Sequence, residues 1–273
     1  QVLNMTTPIT DAKDPQALNE PAALEFDHVA FRYADAQKDA LEGVNFKLHA
    51  GQTLAIIGGT GSGKSTLINL IPRFYDATQG EVKVDGVDVR NTTLQAIHQA
   101  VSFVPQKANL FEGTLRANMQ FGDAKATDEQ IWHALDIAQV SDFVKELDGQ
   151  LDAHVEQGGA NFSGGQRQRL AIARALVKQA SIYVFDDSFS ALDFKTDAKL
   201  RAALKADQKI QKRIVVIVGQ RVSTIADADL ILVLDKGKVV GQGTHQELLA
   251  TNKVYQSIVN SQIRESKEGD QNA

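Results

Sequence analysis

Residues 58–65 read GGTGSGKS and match the pattern G-x-x-x-x-G-K-[ST] along its whole length. Gly58, Gly59, Gly61 and Gly63 let the backbone turn sharply and approach a bound oxyanion closely. Thr60 and Ser62 stand between them. Successive N–H groups in such a loop form an anion-binding nest, and the helix that follows turns its N-terminus to the same charge. Lys64 is placed to reach β- and γ-phosphates and the Ser65 hydroxyl to meet Mg2+, with Thr66 next in the helix. A solvated Gly/Ser loop with an exposed lysine has a similar composition. Here, however, a short apolar strand, TLAIIG at 53–58, leads into the motif and a helical pattern, Lys64–Ile71, leads out. The G-x-G inside it is no dinucleotide fingerprint, because GKST follows.

Two further groups suit the same chemistry. Asp186 closes the apolar run Ser181–Phe185. A carboxylate at the tip of a buried parallel strand meets the Mg2+ carried by a nucleotide, whereas an isolated one would merely cap the next turn. In FSGGQRQR, 162–169, Ser163, Gly164, Gly165 and Gln166 bring a hydroxyl and closely packed backbone donors to a helix start, a second anion site.

The elements that position these groups alternate in type. LEFDHVAFRY, GVNFKLHAG and TLAIIG read as strands, and EVKVDGVDV at 81–89 as a hairpin turning at Asp85-Gly86. From about Gln106 to Phe162 the pattern is mostly helical. Then come helix 165–178, strand 181–186, helix 195–206, strands 214–218, 230–235 and 238–242, and helices near 245–250 and 252–263. Such alternation predicts an α/β layered fold with a helical insert. Residues 1–22, with Pro8, Pro15 and Pro21, read as a linker or extended arm, and 264–273 as a polar tail that frays.

Composition narrows the class. A net charge of −5 over 273 residues gives no basis for nonspecific nucleic-acid binding. With no cysteine there is neither a disulfide framework nor a thiolate metal site. The six histidines, His28, His49, His98, His133, His154 and His245, show no metal-ligand spacing, and Trp132 reads as a packing residue. The longest apolar strand-like run, Ile214–Val218, is far too short to span a bilayer. Gln1 in place of Met suggests a segment of a longer polypeptide.

Taken together, the motifs resemble the nucleotide-binding domain of ABC transporters, in that family's order and spacing, from about Leu24 to Ile263. FSGGQ matches the signature, Gln106 in FVPQ the Q-loop, SALD at 190–193 the D-loop, and Tyr33 the aromatic that stacks on adenine. The resemblance implies a P-loop NTPase (RecA-like) core with an antiparallel β subdomain and a helical subdomain at about 107–165, within a domain spanning 23–263. It implies ATP and Mg2+ as ligands, with Ser65, Gln106 and Asp186 on the metal. It further implies a head-to-tail dimer in which the signature of one chain closes the P-loop site of the other. ANLFEGTLRANMQFG at 108–122 is similar to the exporter subgroup, and the loop before the signature, with Glu156, to the one that contacts membrane domains. Transmembrane domains of the same transporter and a place on the cytoplasmic face of the cell membrane follow from that.

Two positions depart from the family pattern. Asp187 stands where the residue that orients or deprotonates the attacking water is normally Glu, and Gln220 where the switch residue is normally His. Losing one methylene withdraws a carboxylate by about 1.5 Å, and a misplacement of about 1 Å can cost on the order of 10²-fold in rate. Gln keeps an amide donor but cannot become cationic or carry a proton as His can. The pattern resembles the degenerate chain of heterodimeric exporters, which pairs with a second, different nucleotide-binding domain. A homodimeric exporter subunit, an import ATPase and a soluble non-transport ABC ATPase are the alternatives, and the last would need a coiled-coil insertion or tandem cassettes. The sequence does not identify the transported substrate.

Overall fold

The computed structural model describes residues 9–19 and 21–271, with side-chain environments described as far as Ile263. Its centre is a six-stranded sheet built from near-continuous apolar runs. β3 (Thr53–Gly58), β9 (Ile182–Asp186) and β10 (Ile214–Val218) are buried over almost their whole length. Strands covered on both faces have no solvated side to make polar, so their sequences do not alternate. With β6 (Val101–Val104), β11 (Leu230–Asp235) and β12 (Lys238–Gly243) the order is β12-β11-β3-β10-β9-β6. All neighbours pair in parallel except β12, which runs antiparallel at the edge.

A second, four-stranded antiparallel sheet has the order β2-β1-β4-β5, from β1 (Ala23–Phe31), β2 (Leu41–His49), β4 (Gln79–Val84) and β5 (Val87–Asp88). Here one face is covered and the residues alternate. Leu24, Phe26, Val44, Phe46 and Leu48 point inward and pack with Leu54 and Ile56 of the parallel sheet. The expected hairpin is present, with positive φ at Asp85 (49°) and Gly86 (82°), the twist a tight turn between antiparallel strands favours.

The opposite face of the parallel sheet is covered by α6 (Gly164–Val177) and α7 (Phe194–Ala206), continuous with the apolar faces of the helical segment. That segment carries α3 (Leu115–Gln120), α4 (Asp128–Ile137) and α5 (Ser141–Glu146). It also holds a ribbon the sequence reading missed, β7 (Gly113–Thr114) paired with β8 (His154–Val155). The remaining helices are α1 (Lys64–Leu70), α2 (Leu94–Ala100), α8 (Val222–Ile225), α9 (His245–Thr251) and α10 (Lys253–Gln271). The architecture is therefore the expected one: a RecA-like α/β core with an antiparallel β subdomain and a helical subdomain.

Of the expected arm, 1–8 and 20 lie outside the described residues. Ile9–Asn19 has no regular structure but is bonded to the domain. Gln16 N donates to Asn91 O at 2.8 Å, Asn19 N to Asp85 O at 2.9 Å and Thr92 Oγ1 to Gln16 O at 2.7 Å. α10 continues to Gln271, past the start of the expected polar tail at 264. Glu, Lys and Gln are good helix formers, so a polar sequence can extend a helix already nucleated by its docked N-terminal part.

Candidate functional site

The P-loop lies between β3 and α1. Gly63, which caps α1, has φ 105°, and a Cβ there would sit 2.9 Å from the Ala40 carbonyl oxygen. A Cβ on Gly58 would collide with the carbonyl oxygen of Leu234 on β11. Glycine at these two positions is therefore required by fit. Gly237 N donates to Ser62 O at 3.0 Å and steadies the loop from the β11–β12 turn, a support between distant segments that no local pattern announces. Lys64 Nζ donates to Gly58 O and Gly59 O, both at 2.8 Å, so the cation curls over the loop it follows. Burial lowers its pKa, and the charges of Asp187 and Asp186 oppose that.

A cleft of about 550 Å3 opens above the loop, lined by Tyr33, Gly61, Lys64, Ser65 and Lys236 among others. Tyr33 is 39% exposed and meets Phe31 and Tyr75 edge-on, with ring centroids 4.8 and 5.5 Å away. Its hydroxyl lies 3.0 Å from Thr66 Oγ1, which links the aromatic to the first turn of α1.

Four adjacent parallel strands deliver the other groups at their C-terminal ends, where open α/β sheets bind ligands. β3 carries the P-loop, β9 ends in Asp186 and Asp187, Gln220 follows β10 and Gln106 follows β6. Asp187 is 5% exposed and has left-handed backbone, φ 47°. Its Oδ2 accepts from Gln220 Nε2 at 2.6 Å and from Gln106 Nε2 at 3.1 Å, and its carbonyl accepts from Ser190 Oγ at 2.7 Å. Burial raises the pKa of Asp187, against the pull of the Gln220, Gln106 and Ser190 hydrogen bonds and the Lys64 charge. Asp186 is raised by burial and by the Asp187 charge, and Lys64 opposes this.

This donor set fits a nucleotide that brings its own metal. Among the described residues no group of three His, Cys, Asp or Glu could hold a metal ion alone. Mg2+ is commonly held by one or two carboxylates together with substrate phosphates, and Asp186 with the Ser65 hydroxyl meets that need. Bound Mg2+ would neutralise charge on the terminal phosphates. Lys64 and the loop amides would be the donors for the remaining oxyanions.

The signature lies elsewhere. Ser163 caps α6 in a reciprocal box, accepting from Gln166 N at 3.2 Å while Gln166 Oε1 accepts from Ser163 N at 2.8 Å. Ser163 and Gly164 are exposed. Gly164 lines a different cleft, with Gln106, Lys107 and Ala191, and not the one above the P-loop. Within one chain the P-loop and the signature line different clefts. Phe194 beside the D-loop is 68% exposed under the Arg221 guanidinium, 4.6 Å from its ring centre.

Comparison with known proteins agrees with this geometry. An uncharacterised ABC transporter ATP-binding protein of Mycobacterium tuberculosis is 47% identical over 235 residues, 85% of this chain and 40% of that protein. An ATP-dependent lipid A-core flippase of Albidiferax ferrireducens is 42% identical over 244 residues, 89% of this chain and 42% of the flippase. The structure of a bacterial Atm1-family ABC exporter with ATP bound superposes with a TM-score of 0.90 at 35% identity, over 96% of this chain and 46% of that one. The chain thus spans about two fifths of the length of the curated relatives it matches. The profile described as ABC transporter matches residues 41–190, more than half of the sequence. A P-loop, a strand-end aspartate pair and a detached signature are thereby accounted for together: the chain belongs to the ABC transporter family, whose ATPase domains bind ATP with Mg2+.

Proposed function

We propose that this chain is the ATP-binding domain of an ABC exporter, and that its own site holds ATP–Mg2+ but hydrolyses it slowly. The exporter reading draws support from the exporter and flippase relatives. Residues 1–22 would lead in from a membrane domain, 23–263 form the nucleotide-binding domain, with 107–165 as its helical subdomain, and 264–273 end it. The domain would lie on the cytoplasmic face of the membrane and close head to tail on a second, different nucleotide-binding domain. Tyr33 stacks on adenine, residues Gly58–Thr66 hold the phosphates, and Asp186, Ser65 and Gln106 face the metal. Ser163, Gly164, Gly165 and Gln166 serve the partner's nucleotide.

One observation carries the slow-site reading: Asp187 Oδ2 already accepts two amide hydrogen bonds, from Gln220 and Gln106. Those amides hold the carboxylate in line, but it is one methylene shorter than the usual Glu and Gln220 has no proton to relay, so the cleavage that remains is slow. The test is calorimetry and steady-state ATPase on the purified chain. Clear ATP–Mg2+ binding, weakened by Lys64→Ala, with very slow turnover is expected. Robust multiple turnover by the chain alone would instead make it a competent ATPase in its own right.

A further inference from the structure

α10 is held to the domain by one face. Tyr255 is fully buried, and Ile258 and Val259 pack with it against Ala55 and Ile57 of β3 and Ile225 of α8. Residues three, four and seven positions apart share a helix face, so the next residue on that face is Gln262. Its side chain reaches the loop between β10 and α8. Gln262 Nε2 donates to Gln220 O at 2.6 Å, and Gln262 Oε1 accepts from Val222 N at 2.8 Å.

We propose that Gln262 is a positioning residue for ATP turnover, clamping the loop that presents Gln220 and so tying the docking of the C-terminal helix to the geometry at Asp187. The coupling rests on the reading of Gln220 as the switch residue.

α8 explains why the loop needs such a partner. The first N–H groups of any helix lack an internal acceptor, and Arg221, at the cap of α8, provides no side-chain bond to them. Gln262 supplies the acceptor from another helix, and with the other end of the same amide binds the carbonyl two residues earlier. Arg221 turns the opposite way, donating to Leu192 O at 3.1 Å and Ser190 O at 3.2 Å. The loop backbone is thus pinned on both sides, and the Gln220 side chain extends from it to Asp187 Oδ2. Both bonds of the Gln262 side chain to this loop go to backbone atoms, so it acts through the backbone.

The experiment compares Gln262→Ala and Gln262→Leu, the second keeping most of the volume while removing both hydrogen bonds. Amide exchange in the full chain should quicken at Val222 by about 3- to 10-fold, the worth of a net hydrogen bond. Protection at Tyr255 and Ile258 should persist, showing that α10 is still docked. In the assembled transporter, single-turnover cleavage of ATP bound to this chain should slow by about 3- to 10-fold, with ATP affinity held within about twofold. Unchanged exchange at Val222 in both variants overturns the clamp. Faster exchange with unchanged cleavage, where Gln220→Ala does slow cleavage, overturns the coupling. A silent Gln220→Ala instead removes the switch reading on which the coupling rests.

Discussion

Gln220 Nε2 donates to Asp187 Oδ2 across 2.6 Å, so the two residues that depart from the family pattern touch each other. The contact is shared, because Gln106 Nε2 reaches the same oxygen at 3.1 Å. The two substitutions therefore form one unit, in which an amide donor and a short acceptor satisfy each other. Their effects on hydrolysis should be coupled for the same reason.

Restoring the usual pair should show that coupling. Asp187→Glu alone is expected to raise single-turnover ATP cleavage modestly, and Asp187→Glu with Gln220→His to raise it by more than the two single gains combined. The assay includes the partner domain that the proposed reading calls for, since that domain would provide the signature. A double variant no faster than the parent would place the defect outside this pair.

Asp187→Asn should stabilise the nucleotide-free chain at neutral pH. The folded pKa of Asp187 is raised chiefly by burial, and its charge raises Asp186 in turn. When the folded pKa exceeds the ordinary value of 3.8, the native state keeps the proton longer. Stability then falls as pH climbs through that window, and the full cost persists above it. The variant's higher Tm at pH 7 should shrink towards the parent's as pH drops below about 4. Thermal unfolding followed by circular dichroism across that range gives the answer, and an equal offset at every pH would contradict it.

The signature should matter more than this chain's own loop. Ser163 and Gly164 are exposed and away from the P-loop cleft, free to meet a partner's nucleotide. Removing one donor aimed at developing charge costs about 10²–10³ in rate. If this chain pairs with a second domain as proposed, Ser163→Ala or a bulky residue at Gly165 should nearly abolish steady-state ATPase of the assembled transporter. On the proposed reading, Lys64→Ala empties only this chain's own site and should do less harm. The reverse ranking would make this chain's site the working one.

Tyr33 gives a graded series. Tyr33→Phe removes only the contact to Thr66 Oγ1 and should weaken ATP binding by about 2- to 5-fold. Tyr33→Ala also removes the ring and should cost about tenfold or more. Equal losses in calorimetry would mean that the hydroxyl, not stacking, carries the affinity.

What the sequence made legible was local. The Asp85-Gly86 turn, the strand–loop–helix around Lys64 and the apolar runs of β9 and β10 each declare themselves within a few residues. The ribbon of Gly113–Thr114 with His154–Val155 does not, because two-residue strands have no period and their pairing joins distant segments. The same holds for Gln262, 42 positions from the carbonyl it binds. Motif spacing located Asp187 and Gln220, yet only the fold brings β9, β10 and β6 side by side so that Gln106 joins them.

The left-handed backbone at Asp187 carries a consequence for which residue suits this position. Asp and Asn tolerate φ near 47° better than longer or branched residues, since a short polar side chain can bond locally. Glu here would gain reach at a local folding penalty, while Asp keeps the easier turn. Conformational ease and catalytic reach thus pull this one position in opposite directions.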